Sequence, residues 1–386
     1  MRIDSRAVHA GREPRSREPL APPIVQTSVY VYNDLDDYDD AASGRRPGHF
    51  YTRNSNENTT WLGAAVADLE GAEAGLTTSS GMSALLVSIL ALAPKPVPIV
   101  AQRDLYGVTL SLLRQDLGPA GYELRLVDAD DHGSVARALD GSGLLLLETL
   151  TNPLCRVADL AALGELAAAR GVPMLVDNTF ATPILCRPLE LGAAAVVHSL
   201  TKFLAGHNDV TAGALAGPEA VVAEARARSV RMGTNLSPFE AWLAHRGLRT
   251  LAVRMRAAGA GALAVAQRLA SLERVQRVHY PLLEGSPYEA VARRQFDGGG
   301  GAMLAFDLAG GRPAVQAMME RLRMVSFAAS LGGVETTISH PEVASHRSLS
   351  PQERAGLGIS GGTVRVSIGI EAAEDIAADF EQAIGG

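Results

Sequence analysis

The chain is nearly without cysteine. Its two, Cys155 and Cys186, cannot build a disulfide framework, and they fit a reducing compartment. No apolar run approaches the ~20 residues needed to span a bilayer. The opening Met1-Arg2-Ile3-Asp4-Ser5-Arg6 lacks the apolar core of a signal peptide. There is no Lys/Arg-rich run with interleaved aromatics, and the net charge is -7, which argues against a nucleic-acid partner. A metal pattern is missing too: His198, His207, His340 and His346 are scattered, and none makes a His-x-x-x-His helix face. The acidic run Asp34-Leu35-Asp36-Asp37-Tyr38-Asp39-Asp40 reads as a solvated loop. Neither a Gly-x-Ser-x-Gly elbow nor a Walker loop occurs. These absences leave a soluble cytoplasmic protein that acts on neither membrane nor nucleic acid.

What is present is a long chain with 47% hydrophobic residues, enough for a large core in two or three domains at roughly 150 residues each. Residues 1–60 look irregular, with Pro14, Pro19, Pro22, Pro23 and Pro47 and an Asn cluster near 54–58. A polar arm of this length seldom packs on its own core, and it is expected to reach a neighbouring subunit. From Trp61 the pattern alternates. Helix-like stretches at 61–70, 82–92 and 159–170 are interleaved with apolar runs at 97–100, 124–127, 144–147, 174–176 and 195–197. Uninterrupted apolar strands between helices predict an α/β fold with a mostly parallel sheet buried on both faces. A long helical stretch over 238–272 reads as the connector to a smaller α+β domain. That domain has strands at 303–306 and 364–368 and helices near 312–322 and 374–384. The expected division is an arm, 1–60; a large domain, 61–250; and a small domain, 251–386. Gly298–Gly301 reads as a turn, since no helix follows it directly.

Polar residues stand at the strand exits, where open α/β sheets bind ligands. Glu148, Asp177 and Lys202 are thereby drawn toward one crevice. Lys202 follows the run Ala193-Ala194-Ala195-Val196-Val197 within His198-Ser199-Leu200-Thr201-Lys202. An amine placed there can form an imine with an aldehyde cofactor, and the hydroxyls of Ser199 and Thr201 can hold a phosphate. Pyridoxal phosphate (PLP) requires this set, together with a carboxylate for its ring nitrogen. Asp177, closing the strand 174–176, is either that carboxylate or a turn cap. Gly81 and Met82, after Thr77-Thr78-Ser79-Ser80, open a helix whose first amides suit an anion, unless Ser80 is an ordinary N-cap. Tyr106 can stack on a ring or simply pack. Arg365, inside a strand, needs a partner: a substrate carboxylate or a structural ion pair. Ser330-Leu331-Gly332-Gly333-Val334-Glu335 can bring a hydroxyl and amides to the same carboxylate.

Several motifs, in order, carry a resemblance that covers nearly the whole chain. They are Tyr51-Thr52-Arg53, Ser80-Gly81-Met82-Ser83-Ala84, Glu148-Thr149-Leu150-Thr151-Asn152-Pro153, Asp177-Asn178-Thr179-Phe180, His198-Ser199-Leu200-Thr201-Lys202, Ser330 to Glu335 and Arg365-Val366-Ser367. The chain resembles the Cys/Met-metabolism PLP enzymes, the trans-sulfuration group that includes cystathionine γ-lyases and γ-synthases. The resemblance implies the PLP-dependent transferase fold type I, with a seven-stranded-type sheet, and a homotetramer of dimers that share active sites. By the same resemblance Lys202 is the Schiff-base lysine, Asp177 the ring-nitrogen partner and Tyr106 the stacking and assisting residue. Gly81, Met82, Ser199 and Thr201 hold the phosphate, and Tyr51 and Arg53 reach the neighbour's phosphate. Asn152, Ser330 and Arg365 bind the substrate carboxylate or the cofactor oxygen, and Glu335 joins them as a residue typical of the cystathionine enzymes.

The chain departs from the family pattern at Asn56-Glu57-Asn58-Thr59, at Val108, at Phe203 and at Ala344-Ser345-His346. Methionine γ-lyases carry a cysteine at the Val108 position. The first expectation is γ-elimination on cystathionine or a related sulfur amino acid. The second is γ-replacement on an activated homoserine, as by a cystathionine γ-synthase. Methionine γ-lyase and homoserine sulfhydrylase activities follow, and a non-catalytic PLP-binding protein is the alternative from another class.

Overall fold

The apolar runs pair into a sheet of seven strands. In the computed structural model, which describes residues 1–12 and 16–385, these are β1 (Ala74–Thr78), β2 (Ile99–Gln102), β3 (Leu124–Val127), β4 (Leu144–Glu148), β5 (Met174–Asp177), β6 (Ala195–Ser199) and β7 (Gly213–Gly217). Their order is β1-β7-β6-β5-β4-β2-β3. Strands β3, β2, β4, β5 and β6 are parallel, and β7 runs antiparallel to both its neighbours. Leu144 to Leu147 and Val196 and Val197 are almost wholly buried, as a sheet covered on both faces requires. The fold class is therefore the expected one. Pro14, counted among the turn residues of the arm, lies outside the described residues.

Five of the seven strands carry the apolar signal. Strands β1 (Ala-Gly-Leu-Thr-Thr) and β7 (Gly-Ala-Leu-Ala-Gly) lack it, and close approach explains their small residues. A Cβ on Gly75 would lie 2.1 Å from the carbonyl oxygen of Gly63, so the helix Glu57–Glu70 rests directly on β1. A Cβ on Gly213 would lie 2.1 Å from the carbonyl oxygen of Ser80. β-Propensity was exchanged here for contact distance.

The arm is less irregular than its composition suggests. It forms helices Ile3–His9 and Leu35–Ala42. The acidic run builds the second of these, with Asp34 as N-cap accepting from Asp37 N–H at 2.7 Å, so it is a capped helix and not a loop. Ala7 and Ala10 are buried in the large core of the same chain. The Asn cluster also has a structural task. Asn56 caps the helix that begins at Glu57, four residues before Trp61, in a capping box with Thr59. Asn58, buried, accepts from Val25 N–H at 2.8 Å and donates to the Pro23 carbonyl at 2.8 Å. The Asn56-Glu57-Asn58-Thr59 departure thus ties the arm to the helix end.

The smaller sheet, with order β10-β11-β12-β9-β8, contains β8 (Val275–His279), β9 (Met303–Leu308), β10 (Ser326–Phe327), β11 (Thr337–Ser339) and β12 (Thr363–Ser367). It packs on its own apolar cluster with helix Ala373–Gly385, around the edge-to-face pair Phe306 and Phe380. The stretch 238–272 is not one helix. It breaks at Arg249-Thr250 into Pro238–Leu248 and Leu251–Ala270. Among the described residues, no helix is long and apolar enough to cross a membrane.

Candidate active site

The carboxyl ends of β4, β5 and β6 open into a cavity of about 440 Å³. Gly81, Met82, Tyr106, Asn152, Asp177, Ser199, Thr201, Lys202 and Arg365 all line it, and so does Glu148. Residues from the two ends of the sequence meet here because β12 carries Arg365 to the cleft. The Lys202 Nζ donates to Ser330 Oγ at 3.1 Å. Burial, and secondarily the Arg365 charge, lower the amine from 10.5 to about 8. A lysine in this state supplies a usable fraction of free base near neutrality.

Two carboxyls stand side by side, since Glu148 of β4 pairs in register with Asp177 of β5. Glu148 Oε1 accepts from Tyr106 N–H at 2.7 Å and its Oε2 from Asn152 N–H at 3.3 Å. Burial pushes the proton affinity of Glu148 well up, and the charge of Asp177 adds to it. Asp177 is raised by burial as well, while its bonds to Thr179 and the charge of His198 oppose the rise. Its Oδ1 accepts from Thr179 N–H at 2.9 Å, so the local turn bond and the site position coexist.

Arg365 is buried and is lowered to about 10, chiefly by desolvation. Its Nη1 donates to Asn152 Oδ1 and its Nη2 to the Ser330 carbonyl, each at 3.2 Å. Among the described residues the Nε has no partner, and no carboxylate is among the charges that act on the guanidinium. A ligand carboxylate would complete it. At the other end, Gly81 opens the helix Gly81–Leu92, where the first amides are not used by intrahelical bonds. A Cβ on Gly81 would meet Ser199 Cβ at 2.7 Å and its Cα at 2.9 Å, so the cradle admits only glycine. Thr201 Oγ1 already bonds with the Ala212 backbone, accepting at 3.0 Å and donating at 3.2 Å. Tyr106, half-buried, has its phenol raised by burial and stays protonated.

Three predicted residues lie elsewhere. Tyr51 and Arg53 stack on each other, with the guanidinium 5.3 Å from the ring centroid, and Arg53 Nη1 reaches the Val230 carbonyl at 3.4 Å. Neither lines the Lys202 cavity of its own chain. Glu335 does not line it either: exposed, it accepts from Asn208 Nδ2 at 3.0 Å. Val108 and the Ala344-Ser345 departure do line the cavity. A Cβ on Gly107 would lie 2.2 Å from the Ser345 carbonyl oxygen, so that segment closes down on the Tyr106 loop.

Sequence reasoning missed Arg254. This buried side chain donates to the carbonyls of Phe203 at 2.6 Å, Leu204 at 3.2 Å and Gly247 at 2.8 Å. It fixes the loop that follows Lys202. An arginine within an otherwise apolar helix stripe was its only signal. A stronger unused signal is the count of lysines: Lys95, on an exposed loop, is the only other one in the chain.

A low-pKa amine, paired carboxyls, an incomplete guanidinium and a glycine-only cradle fit PLP and define a fold type I PLP enzyme. The chain belongs to the Cys/Met metabolism PLP-dependent enzyme family, whose model matches residues 4–385. It is 39% identical over 384 residues to the L-methionine γ-lyase of Pseudomonas putida, covering 98% of this chain and 96% of that one. The crystal structure of cystathionine γ-synthase from Xanthomonas oryzae pv. oryzae, in complex with aminoacrylate and cysteine, matches with TM-score 0.94 at 36% identity. It covers 100% of this chain and 98% of that chain. A Campylobacter jejuni structure holding N'-pyridoxyl-lysine-5'-monophosphate matches with TM-score 0.95 at 28% identity over 100% of both chains. The protein is a PLP-dependent lyase or γ-replacement enzyme of the trans-sulfuration family.

Proposed function

We propose that this chain is a γ-lyase, releasing a thiol, a keto acid and ammonia from cystathionine or a related sulfur amino acid. One observation carries the choice of elimination: Arg365 is the one guanidinium lining the cavity among the described residues. A single carboxylate anchor suits one amino-acid substrate with water as the second reactant. The remaining walls around Val108, Leu85, Leu150, Phe180 and Ala344 are apolar and suit a thioether. γ-Replacement on an activated homoserine is the second reading, favoured by the likeness to cystathionine γ-synthase.

When bound, PLP supplies an electron sink for the carbanion at the substrate α-carbon. In this reading Lys202 would hold the cofactor, and its amine, once free, would take the α-proton, hand it on within the substrate–cofactor system, and so be a free base again for the β-proton. Its suppressed charge suits both steps. Asp177 would accept a hydrogen bond from the protonated ring nitrogen. Arg365, steadied by Asn152 and the Ser330 carbonyl, holds the substrate carboxylate. The Tyr106 phenol, protonated in this site, delivers a proton to the departing sulfur. Gly81, Met82, Ser199 and Thr201, which line the same cavity, would hold the phosphate. Tyr51 and Arg53, outside their own cavity, serve the partner's site in a homotetramer of dimers. The arm 1–60, the large domain 61–250 and the small domain 251–386 are the units of this arrangement, which we place in the cytoplasm.

Product analysis distinguishes the readings. Cystathionine alone should yield keto acid, ammonia and a thiol. An activated homoserine plus cysteine that yields cystathionine, with no turnover of cystathionine alone, would select replacement.

A further inference from the structure

The backbone that carries Lys202 is held from two sides, and the reaction as written uses neither hold. After Lys202 the chain turns back on itself. Ala205 N–H donates to the Leu200 carbonyl at 3.0 Å, and Gly206 N–H to the Lys202 carbonyl at 2.9 Å. The carbonyls between, those of Phe203 and Leu204, receive no backbone N–H among the described residues. One side chain takes both. Arg254, buried in the helix Leu251–Ala270, donates from Nη1 to Phe203 at 2.6 Å and from Nη2 to Leu204 at 3.2 Å. Two further bonds engage it: Nη2 reaches the Gly247 carbonyl at 2.8 Å, and Nε the Thr250 hydroxyl at 3.0 Å. The turn closes tightly round the guanidinium, since a Cβ on Gly206, at φ +74°, would strike it.

On the other side lies Gly332. A Cβ there would sit 2.5 Å from Phe203 N and 2.8 Å from the Lys202 carbonyl carbon. Gly332 N–H is itself anchored on Ser367 Oγ at 2.8 Å. The Lys202–Phe203 peptide is thus pinned between two segments from beyond residue 250. The Lys202 amine, by contrast, has a single hydrogen-bond partner among the described residues, Ser330 Oγ.

For stability alone Arg254 is an expensive choice. Taking a guanidinium out of water is costly. Among the described residues no carboxylate offsets that cost, and burial lowers the group to about 10. What the charge secures is a rigid, planar fork on two consecutive carbonyls, which neither lysine nor glutamine reproduces. We propose that Arg254 is a positioning residue for Lys202: by holding the carbonyls of Phe203 and Leu204, it fixes the backbone from which the amine reaches cofactor and substrate. That amine must meet several targets in turn on a flexible stem. A misplacement of about 1 Å costs about a hundredfold in rate. The inference rests on Lys202 being the residue that holds the cofactor.

The test compares Arg254→Lys, which keeps the charge and loses the fork, with Arg254→Gln, which loses both. PLP is added to apoenzyme, borohydride follows at timed intervals, and peptide mass spectrometry tracks the pyridoxyl group on Lys202. Its rate of appearance should fall about tenfold in Arg254→Lys and about a hundredfold in Arg254→Gln. kcat per bound PLP should fall in the same order, with KM little changed. A merely structural arginine would lower the melting temperature and leave both readouts alone. Either readout at its unaltered value in both variants overturns the proposal. Should Arg254→Gln not fold, Arg254→Lys decides by the same two readouts. A pyridoxyl group that forms away from Lys202 in the unsubstituted protein would overturn the lysine assignment itself. One on Lys202, with rates unchanged in the variants, overturns only the role of Arg254.

Discussion

Arg365 Nη1 donates to Asn152 Oδ1 at 3.2 Å, joining the small sheet to the carboxyl end of β4 across the cleft. The guanidinium is buried, and its Nε lacks a partner among the described residues. Truncating it removes a charge-assisted anchor of about 1.5–3 kcal/mol. Arg365→Ala should therefore lower kcat/KM for the amino-acid substrate roughly ten- to hundredfold. The loss should sit mainly in KM, and PLP content, read from absorbance, should be kept.

The Lys202 amine should titrate early. Burial disfavours the ammonium, so the free base forms on the way up through about pH 8, not near 10.5. In the apoenzyme, the rate at which an amine-directed reagent labels Lys202 should rise through about pH 8. Peptide mapping reads this site apart from Lys95. A midpoint near 10.5 would show that the site does not suppress the charge.

A Cβ on Gly81 would meet the Cβ and Cα of Ser199, not a flexible side-chain tip, so little can move aside. Gly81→Ala places a methyl 2.9 Å from Ser199 Cα. The overpacking should reduce stability by about 1–3 kcal/mol and weaken PLP binding. Thermal melting with and without PLP measures both, and the holoenzyme should lose more than the apoenzyme.

The Tyr51–Arg53 pair tests the shared-site reading. Arg53→Ala and Lys202→Ala should each be nearly inactive alone. Mixed subunits contain one site with both residues intact, so reassociation should recover roughly a quarter of the sites in a random mixture. No recovery on mixing would place Arg53 outside the partner's site.

How much of this was legible in the sequence follows from the range of each interaction. Lys202, Asp177 and Glu148 announced themselves because a polar residue after an apolar strand is a local pattern, and strand ends converge by topology. Arg365 was visible as a lone charge in a strand, although its partner Asn152 lies 213 residues away. Strands β1 and β7 were not legible, since Gly75 and Gly213 answer to a neighbouring backbone and not to strand propensity. The helix break at Arg249-Thr250 was hidden in a stretch rich in Ala, Arg and Leu. Arg254 depends on a partner 51 residues distant, which no local period encodes. Glu335 was drawn in by motif context, and its carboxylate turns instead to Asn208.

The central claim is that Lys202 holds the cofactor. The chain has only Lys95 and Lys202 to choose between. Borohydride reduction of the PLP-loaded protein, followed by peptide mass spectrometry, should place a pyridoxyl group on the peptide containing Lys202 and none on that containing Lys95. A pyridoxyl group on Lys95, or an unmodified Lys202 in a protein that retains its cofactor, would contradict the account.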